Sequence, residues 1–415
     1  MAEHYDIVIA GGGLVGASLA SALADTAFRI AVVEPHPLNV SDQPSYDERT
    51  VALTWSARQI FTGMGLWQQI ALSGAEPIKD IHVSNRGHFG MTHLSHADAG
   101  TAALGYVVPT RIIGQVLHQR ISAASNIELL CPASVKQVDA SLNTALVTLQ
   151  NSDSTDQVTA SLVVIADGGR SELTDGFHPQ QARYAQQALV TIVSSDRPHQ
   201  GRAYERFTRE GPLAMLPLSD QRYAVVWTCL PDQLEQRMAL EDRQFIDALQ
   251  TAFGDRAGNL SKPSPRKAYP LQRGNLSSPV ADRMIVVGNA AHTVHPVAGQ
   301  GFNLGLRDVA ALAECLYEAA ISGEDPGNRT RLDQYASSRL SDTRMVSQFT
   351  HGLIQLFSND LMALGLARNL ALKGIELFPP AKRFLLRRTM GLSGRQSKLT
   401  MGLPLNNSVT SSGLN

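Results

Sequence analysis

Cysteine is scarce: the 415-residue chain has three, Cys131, Cys229 and Cys315, far apart and in no C-x-x-C pair. That excludes a disulfide framework or a zinc ribbon and fits a reducing compartment, so a cytoplasmic protein is expected. No apolar run approaches the ~20 residues that span a bilayer. The opening residues, MAEHYD, are polar and predict no secretory signal. Net charge is missing too: 36 Lys and Arg balance 37 Asp and Glu to a formal −1, so no long-range field draws the chain to nucleic acid. Internal repeats and low-complexity segments are absent. What is there, 43% hydrophobic and 18% charged residues, is the composition of a folded protein. The length allows two or three domains at ~150 residues each.

Residues 5–10 (YDIVIA) read as a buried strand, residues 14–24 as a helix of small residues and residues 29–34 (RIAVVE) as a second strand. Together they make a βαβ unit of about 30 residues. Residues 38–49 are polar and read as loop, and 56–64 and 66–71 as helices. Residues 81–84 and 91–94 alternate around a glycine-containing turn, which predicts a hairpin in a different sheet. A helix is predicted over 109–122 and strands over 134–138, 145–150 and 161–166. Residues 176–270 are rich in strands, with a helix over 241–253. Residues 283–287 form a further apolar strand that runs into a glycine-rich loop and a helix from near Gly301. Helical periodicity dominates from residue 325, and the tail from 403 is expected to fray.

Three segments carry chemistry. Gly11, Gly13 and Gly16 satisfy G-x-G-x-x-G between a strand and a helix, the context that motif needs. The first glycine permits the tight turn, the second a close approach to a pyrophosphate, the third close packing of helix on strand. Glu34 ends the next strand, where a carboxylate can accept hydrogen bonds from an adenosine ribose. The second segment, residues 166–171 (ADGGRS), follows an apolar strand. The third runs from Gly288 to Asp308, where Gly299 and Gly301 leave backbone N–H groups facing a ligand at a helix start. Three glycine-punctuated strand ends imply a long, extended cofactor held at several places.

In this order and spacing the segments resemble the FAD-dependent aromatic hydroxylases, the class A flavoprotein monooxygenases, over about residues 5–390. Residues 203–208 (AYERFT), 211–217 (GPLAMLP) and 299–305 (GQGFNLG) are similar to the ubiquinone-biosynthesis branch. Residues 288–291 (GNAA) and 301–305 (GFNLG) most resemble those members that hydroxylate ring position 4 of a polyprenylated methoxyphenol. The expected fold is α/β. A Rossmann-like FAD-binding domain would cover 1–75, 100–175 and 271–340. An inserted mixed β-sheet substrate domain would cover 76–99 and 176–270, and a helical C-terminal region with a basic tail 341–415.

The resemblance implies non-covalent FAD, NADH or NADPH as co-substrate, O2, and oxygen transfer to the phenol ring through a flavin C4a-hydroperoxide. It implies that Gly11, Gly13, Gly16 and Glu34 hold the ADP half of FAD, with Arg49 and Arg111 nearby. Asp167 would lie close to FAD and affect NAD(P)H use. Asn289 stands where the family carries Asp, and its amide oxygen can still accept a ribityl hydroxyl. Pro296, Gly299 and Gly301 would lie beside the isoalloxazine and Asn303 near its pyrimidine edge. His292 and His295 are the candidates for a phenol base, with structural loop histidines as the alternative; no further ligands cluster near them for a metal. Tyr204, Phe207 and Trp227, with Pro217 in the same substrate-side region, are candidates for ring or isoprenoid contact, with core aromatics as the alternative.

From residue 377 on there is no Asp or Glu, while Lys382, Arg383, Arg387, Arg388, Arg395 and Lys398 are basic around Phe384, Leu385 and Leu386. Such a segment suits peripheral contact with anionic lipid at the inner face of a membrane, or with a partner in a biosynthetic assembly; a solvated basic face is the alternative. Two other functions share the general fold: a flavin-dependent isoprenoid reductase and a non-catalytic assembly protein.

Overall fold

In chain order, β1 (Glu3–Ala10), α1 (Leu14–Ala22) and β2 (Ile30–Val33) form the expected βαβ unit. The structure, a computed structural model, describes residues 2–37, 49–86, 90–151, 154–208, 210–293, 299–357, 374 and 378–406. β3 (Thr50–Thr54) runs into α2 (Trp55–Gly63), which is capped by the Thr54 hydroxyl accepting from the Ala57 N–H. α3 (Trp67–Leu72) and β4 (Glu76–Ile78) follow. The expected hairpin is β5 (Asp80–Asn85) with β6 (Met91–Ser95). After it come α4 (His96–Ala99), β7 (Gly105–Pro109) and α5 (Thr110–Ala123). Next are β8 (Ile127–Leu130), β9 (Ser134–Ala140), β10 (Ala145–Gln150) and β11 (Thr155–Ile165). β12 (Pro179–Ser195), β13 (Arg202–Thr208), β14 (Gly211–Leu218) and β15 (Arg222–Cys229) lead to α6 (Pro231–Ala239) and α7 (Asp242–Phe253). The chain continues through β16 (Leu260–Ser261), β17 (Lys267–Leu276), β18 (Val280–Ala281), β19 (Met284–Val286) and β20 (His292–Thr293). It closes with α8 (Gln300–Ser322), α9 (Arg329–Phe357) and α10 (Pro379–Thr389).

The first sheet has the order β18-β19-β11-β1-β2-β8, with β10 and β9 extending from β11. Strands β19, β11, β1, β2 and β8 are parallel. β1 sits at their centre because both of its faces are apolar: Ile7 and Ile9 enter one core, Tyr5, Val8 and Ala10 another. The chain leaves β1 for β2 on one side and returns to β11 on the other. Such a switch point opens a crevice at the carboxyl ends of the strands.

The second sheet has the order β20-β17-β12-β15-β14-β13-β5-β6. Alternation along β13, β14 and β15 gives it two faces. Tyr204, Leu213, Met215, Tyr223, Val225 and Trp227 pack with Phe245, Leu249 and Phe253 of α7 in a core of their own. The other face turns toward the first sheet.

Some elements differ from the sequence reading. β3, β7 and β4 form a small antiparallel sheet that periodicity did not announce, because its strands have only three to five residues. Helix α6 was not expected: it buries a single residue, Leu234, so it lacks an apolar stripe. The chain after α10 is mostly turn, and Leu405 is buried in the first core while Leu403 and Asn406 are exposed; residues 407–415 lie outside those described. The expected loop lies outside them too, apart from Arg49.

Candidate active site

One cavity of about 1190 Å3 joins the strand ends of the first sheet to the free face of the second. That exceeds the roughly 300–1,000 Å3 of sites for drug-sized ligands. It has two ends of different chemistry.

At the first-sheet end the walls are Gly11, Gly13, Glu34, Asp167 and Asn289, with Arg49 and Thr110 also lining the cavity. Close packing there demands glycine. Gly11 has φ +109°, and a Cβ on it would stand 2.8 Å from the Ala166 carbonyl oxygen. A Cβ on Gly16 would stand 1.9 Å from the Gly11 carbonyl oxygen. The α1 N-cap is Gly13, and no side chain caps the helix. Its first N–H groups, with the positive end of the helix dipole, are therefore open to an anion such as a diphosphate. Glu34 is held in place by the Gly12 N–H, which donates to Oε2 at 2.7 Å, and the His36 N–H, which donates to Oε1 at 3.0 Å. Each oxygen keeps a further lone pair for a ribose hydroxyl. Asp167 organises its own loop, accepting from the N–H groups of Gly169 and Ser171 at 2.9 Å. Asn289 is exposed to the cavity, and its side-chain amide bonds no described residue. This donor and acceptor set fits a dinucleotide.

The start of α8 forms a second glycine cradle. Gly299 has φ +59° and caps the helix without a side-chain bond, and Gln300, Gly301 and Phe302 line the cavity beside it. Asn303 does not reach the cavity, contrary to the expectation that it meets the cofactor. Its amide is engaged by backbone: Oδ1 accepts from the Thr54 N–H at 2.8 Å, and Nδ2 donates to the carbonyls of Ala52 (2.7 Å) and Gly299 (2.6 Å). It ties β3 to α8 and so positions the cradle. Arg111 is off the cavity wall as well, one residue past Thr110 on α5. His295 and Pro296 lie outside the described residues.

At the other end, the wall is Ile81, Val83, Thr92, Leu94, Ala203, Glu205, Phe207, Ala214, Leu216 and Val226. Phe207 lines the cavity. Three expected contacts are corrected by strand alternation. Trp227 is buried on the helix side, under the Arg237 guanidinium at 3.8 Å and beside Phe245 at 6.2 Å. Pro217 shares the register of Leu213 and Met215, away from the cavity. Tyr204 touches the cavity boundary, but its ring packs edge-on against Phe253 at 5.2 Å and its hydroxyl donates to the Arg256 carbonyl at 3.1 Å. The residue that the sequence reading passed over is Glu205, whose alternation with Ala203 and Phe207 was the signal. Leu385 and Thr389 of α10 complete the lining.

His292 is corrected too. It is buried off the cavity wall, with Nε2 bonded to Asp308. Asp308 also accepts from the Gly288 N–H at 3.1 Å and from Arg339 Nε at 2.9 Å. Arg339 and Arg307 share Asp342, the latter at 2.9 Å. Burial alone would raise the Asp308 carboxyl; the charges of His292 and Arg339 overcome it and hold the group at about 2. This ion network fastens residues 288–293 to α8 and α9. His292 is engaged by this network and does not line the cavity.

Comparison with known proteins bears on both ends. A family model described as an FAD binding domain matches residues 4–350. The ubiquinone hydroxylase UbiL of Rhodospirillum rubrum is 36% identical over 405 residues, covering 96% of this chain and 93% of that protein. The 3-demethoxyubiquinol 3-hydroxylase of Escherichia coli is 30% identical, covering 94% of this chain and 99% of that one. Among solved structures, the p-nitrophenol 4-monooxygenase PnpA of Pseudomonas putida superposes with a TM-score of 0.81 at 19% identity, covering 95% of this chain and all of that one, a likeness of fold.

Proposed function

The chain belongs to the FAD-binding aromatic hydroxylase family of ubiquinone biosynthesis, and from that premise we propose that it hydroxylates a polyprenylated methoxyphenol at ring position 4, using NAD(P)H and O2. The observation that carries the reading is one continuous cavity: a dinucleotide cradle at one end, an apolar wall at the other. When bound, FAD carries electrons from NAD(P)H to O2 and delivers one oxygen atom to the ring. The chain does the rest. Gly11, Gly13 and the start of α1 receive the diphosphate, Glu34 the ribose, and Asn289 the polyol chain. Ile81, Val83, Leu94, Leu216 and Val226 surround the ring and the first isoprenoid units and keep water from the reacting atoms.

The test is an absorbance spectrum of the purified protein, then addition of NADH or NADPH with and without 2-geranyl-6-methoxyphenol. A bound flavin band, bleached faster by one nucleotide when the phenol is present, and a product hydroxylated at position 4 are expected. Hydroxylation at another carbon overturns the ring position. No flavin after incubation with FAD overturns the mechanism and favours an assembly role.

Peripheral membrane contact forms part of this proposal. Among the described residues no helix is long and apolar enough to cross a membrane. α10 buries Leu386 and exposes Phe384, Arg383 and Arg387, while Leu385 and Thr389 reach the cavity. Lys382 is paired with Asp98 at 3.0 Å and Arg388 stacks on Phe384 at 4.6 Å. Flotation with anionic vesicles is expected to be strong for the native protein and weak for Arg383→Glu/Arg387→Glu. Equal flotation of the two sinks lipid contact through α10.

A further inference from the structure

Buried carboxylates in this protein have partners. Glu34 accepts two backbone N–H groups; Asp308 and Asp342 sit among arginines. Glu205 is the exception: the residue as a whole is only half-buried, but one of its carboxylate oxygens is sealed off. Its Oε1 is out of reach of solvent and bonds no described residue, and no other carboxylate oxygen among the described residues is buried and unpaired. A carboxylate oxygen buried without a partner costs stability, so its presence asks for a ligand that completes it.

Its surroundings say which kind. Glu205 lies on the cavity face of β13, opposite Val83 of β5 and Ala214 of β14. Ala203 and Phe207 flank it along the strand. The charged and titratable neighbours on these strands, His82, Arg202 and Arg206, fall on the opposite face by alternation. His82 lies beside the Tyr204 ring at 5.9 Å, and Arg206 Nε donates to the Ala252 carbonyl at 3.2 Å. What Glu205 lacks is a hydrogen-bond donor inside an apolar chamber. An aromatic ring bearing one hydroxyl supplies apolar surface and one donor together.

We propose that Glu205 is the base that receives the phenolic proton of the substrate. This rests on the hydroxylase reading given above. The O–H bond of the phenol breaks, its electron pair stays on the ring oxygen, and the proton passes to the Glu205 carboxylate. The hydroxylated ring carbon sheds its hydrogen as a proton, which leaves in the water formed from the second oxygen atom of O2; Glu205 returns its own proton to the ring oxygen, and the carboxylate starts and ends the cycle ionised. The extra electron density on the ring is what an electrophilic oxygen needs.

Burial supports the role: with no opposing charge beside it, the carboxyl is pushed from 4.5 up to about 7. A phenol titrates at about 10, so the mismatch between acid and base narrows to roughly three pKa units. Transfer within the transition state is then effective near neutral pH.

The experiment compares the native holoenzyme with Glu205→Gln in two ways. The first is binding to the oxidised protein without nicotinamide, with 2-geranyl-6-methoxyphenol and its O-methyl ether as probes. The native protein should prefer the phenol by roughly 10- to 100-fold, the range of a hydrogen bond to a charged group, and Glu205→Gln should lose most of that preference. The second is the pH profile of hydroxylation. The native rate should rise through about pH 7; in Glu205→Gln the inflection should vanish and the rate fall by roughly 10²-fold, the lower end for a positioned base. Flavin content should stay constant. An unchanged preference together with an unchanged profile overturns the proposal. A native enzyme that does not hydroxylate the phenol overturns the hydroxylase reading instead, and the binding comparison still decides whether Glu205 faces the hydroxyl.

Discussion

Asp308→Asn is expected to lower the stability of the protein by about 3–5 kcal/mol, the usual effect of removing one member of a buried ion pair. Asp308 holds three donors at once, Arg339, His292 and the Gly288 N–H. The neutral amide leaves a buried guanidinium short of charge and presents an NH2 group where acceptors are needed. Guanidinium unfolding followed by circular dichroism reads the change. A matched control is Asp282→Asn, which breaks an exposed pair with Arg329 at 3.0 Å and should shift stability by less than about 1 kcal/mol. A loss at Asp308 no larger than at Asp282 would refute the structural role of the network. The pH dependence follows from the depressed carboxyl. Its contribution is fully present above the ordinary value of 3.8 and is lost as the pH falls from there through about 2. In size it is roughly 2–3 kcal/mol. The native protein should therefore weaken over that window, and Asp308→Asn should weaken less.

Gly16→Ala is expected to yield a protein that retains little FAD. The added Cβ would stand 1.9 Å from the Gly11 carbonyl oxygen and 3.2 Å from Ile9 Cγ2. The oxygen is backbone at the end of β1 and cannot rotate away, so α1 must lift off the strand. Overpacking of this kind costs ~1–3 kcal/mol, and it acts on the helix end that would face the diphosphate. Equilibrium dialysis against FAD should show affinity weaker by roughly 10- to 100-fold, as that energy converts. Gly352→Ala is the control. An added Cβ there meets nothing within 4 Å among the described residues, and Ala is the better residue inside a helix. Equal FAD retention by both variants would mean that the turn does not carry the cofactor.

The parts of this molecule legible in its sequence are those set by neighbours in the chain. The strand-glycine-helix run around Gly11 and the hairpin β5–β6 needed only local pattern, and both stand where expected. The residues misjudged were those whose role depends on a distant partner. His292 looked available until Asp308, sixteen residues on, was brought against it. Asn303 looked like a ligand contact, yet its amide is engaged by β3, some 250 residues earlier. Tyr204 and Trp227 belong to the core-aromatic alternative, and alternation already places Tyr204 opposite in sense to Phe207. The same alternation puts Glu205 on the cavity face, so that assignment was open to a stricter reading of period two. The weak stripe of α6 and the very short strands of the small sheet gave no periodic signal at all.

The position of β1 between β2 and β11 has a consequence for how the protein is made. The glycine turn after β1 leaves the ribosome before its outer wall, the Ala166 carbonyl, and β11 must be added before that wall exists. At ~5–20 residues per second, the nascent turn waits roughly ten seconds or more for its counterpart. The far end waits longer, because Leu385 and Thr389 complete the cavity lining and follow Ala166 in the chain. A growing chain can therefore hold a cofactor cradle before it owns a closed reaction chamber, and premature release of an unfinished chain would leave the first without the second.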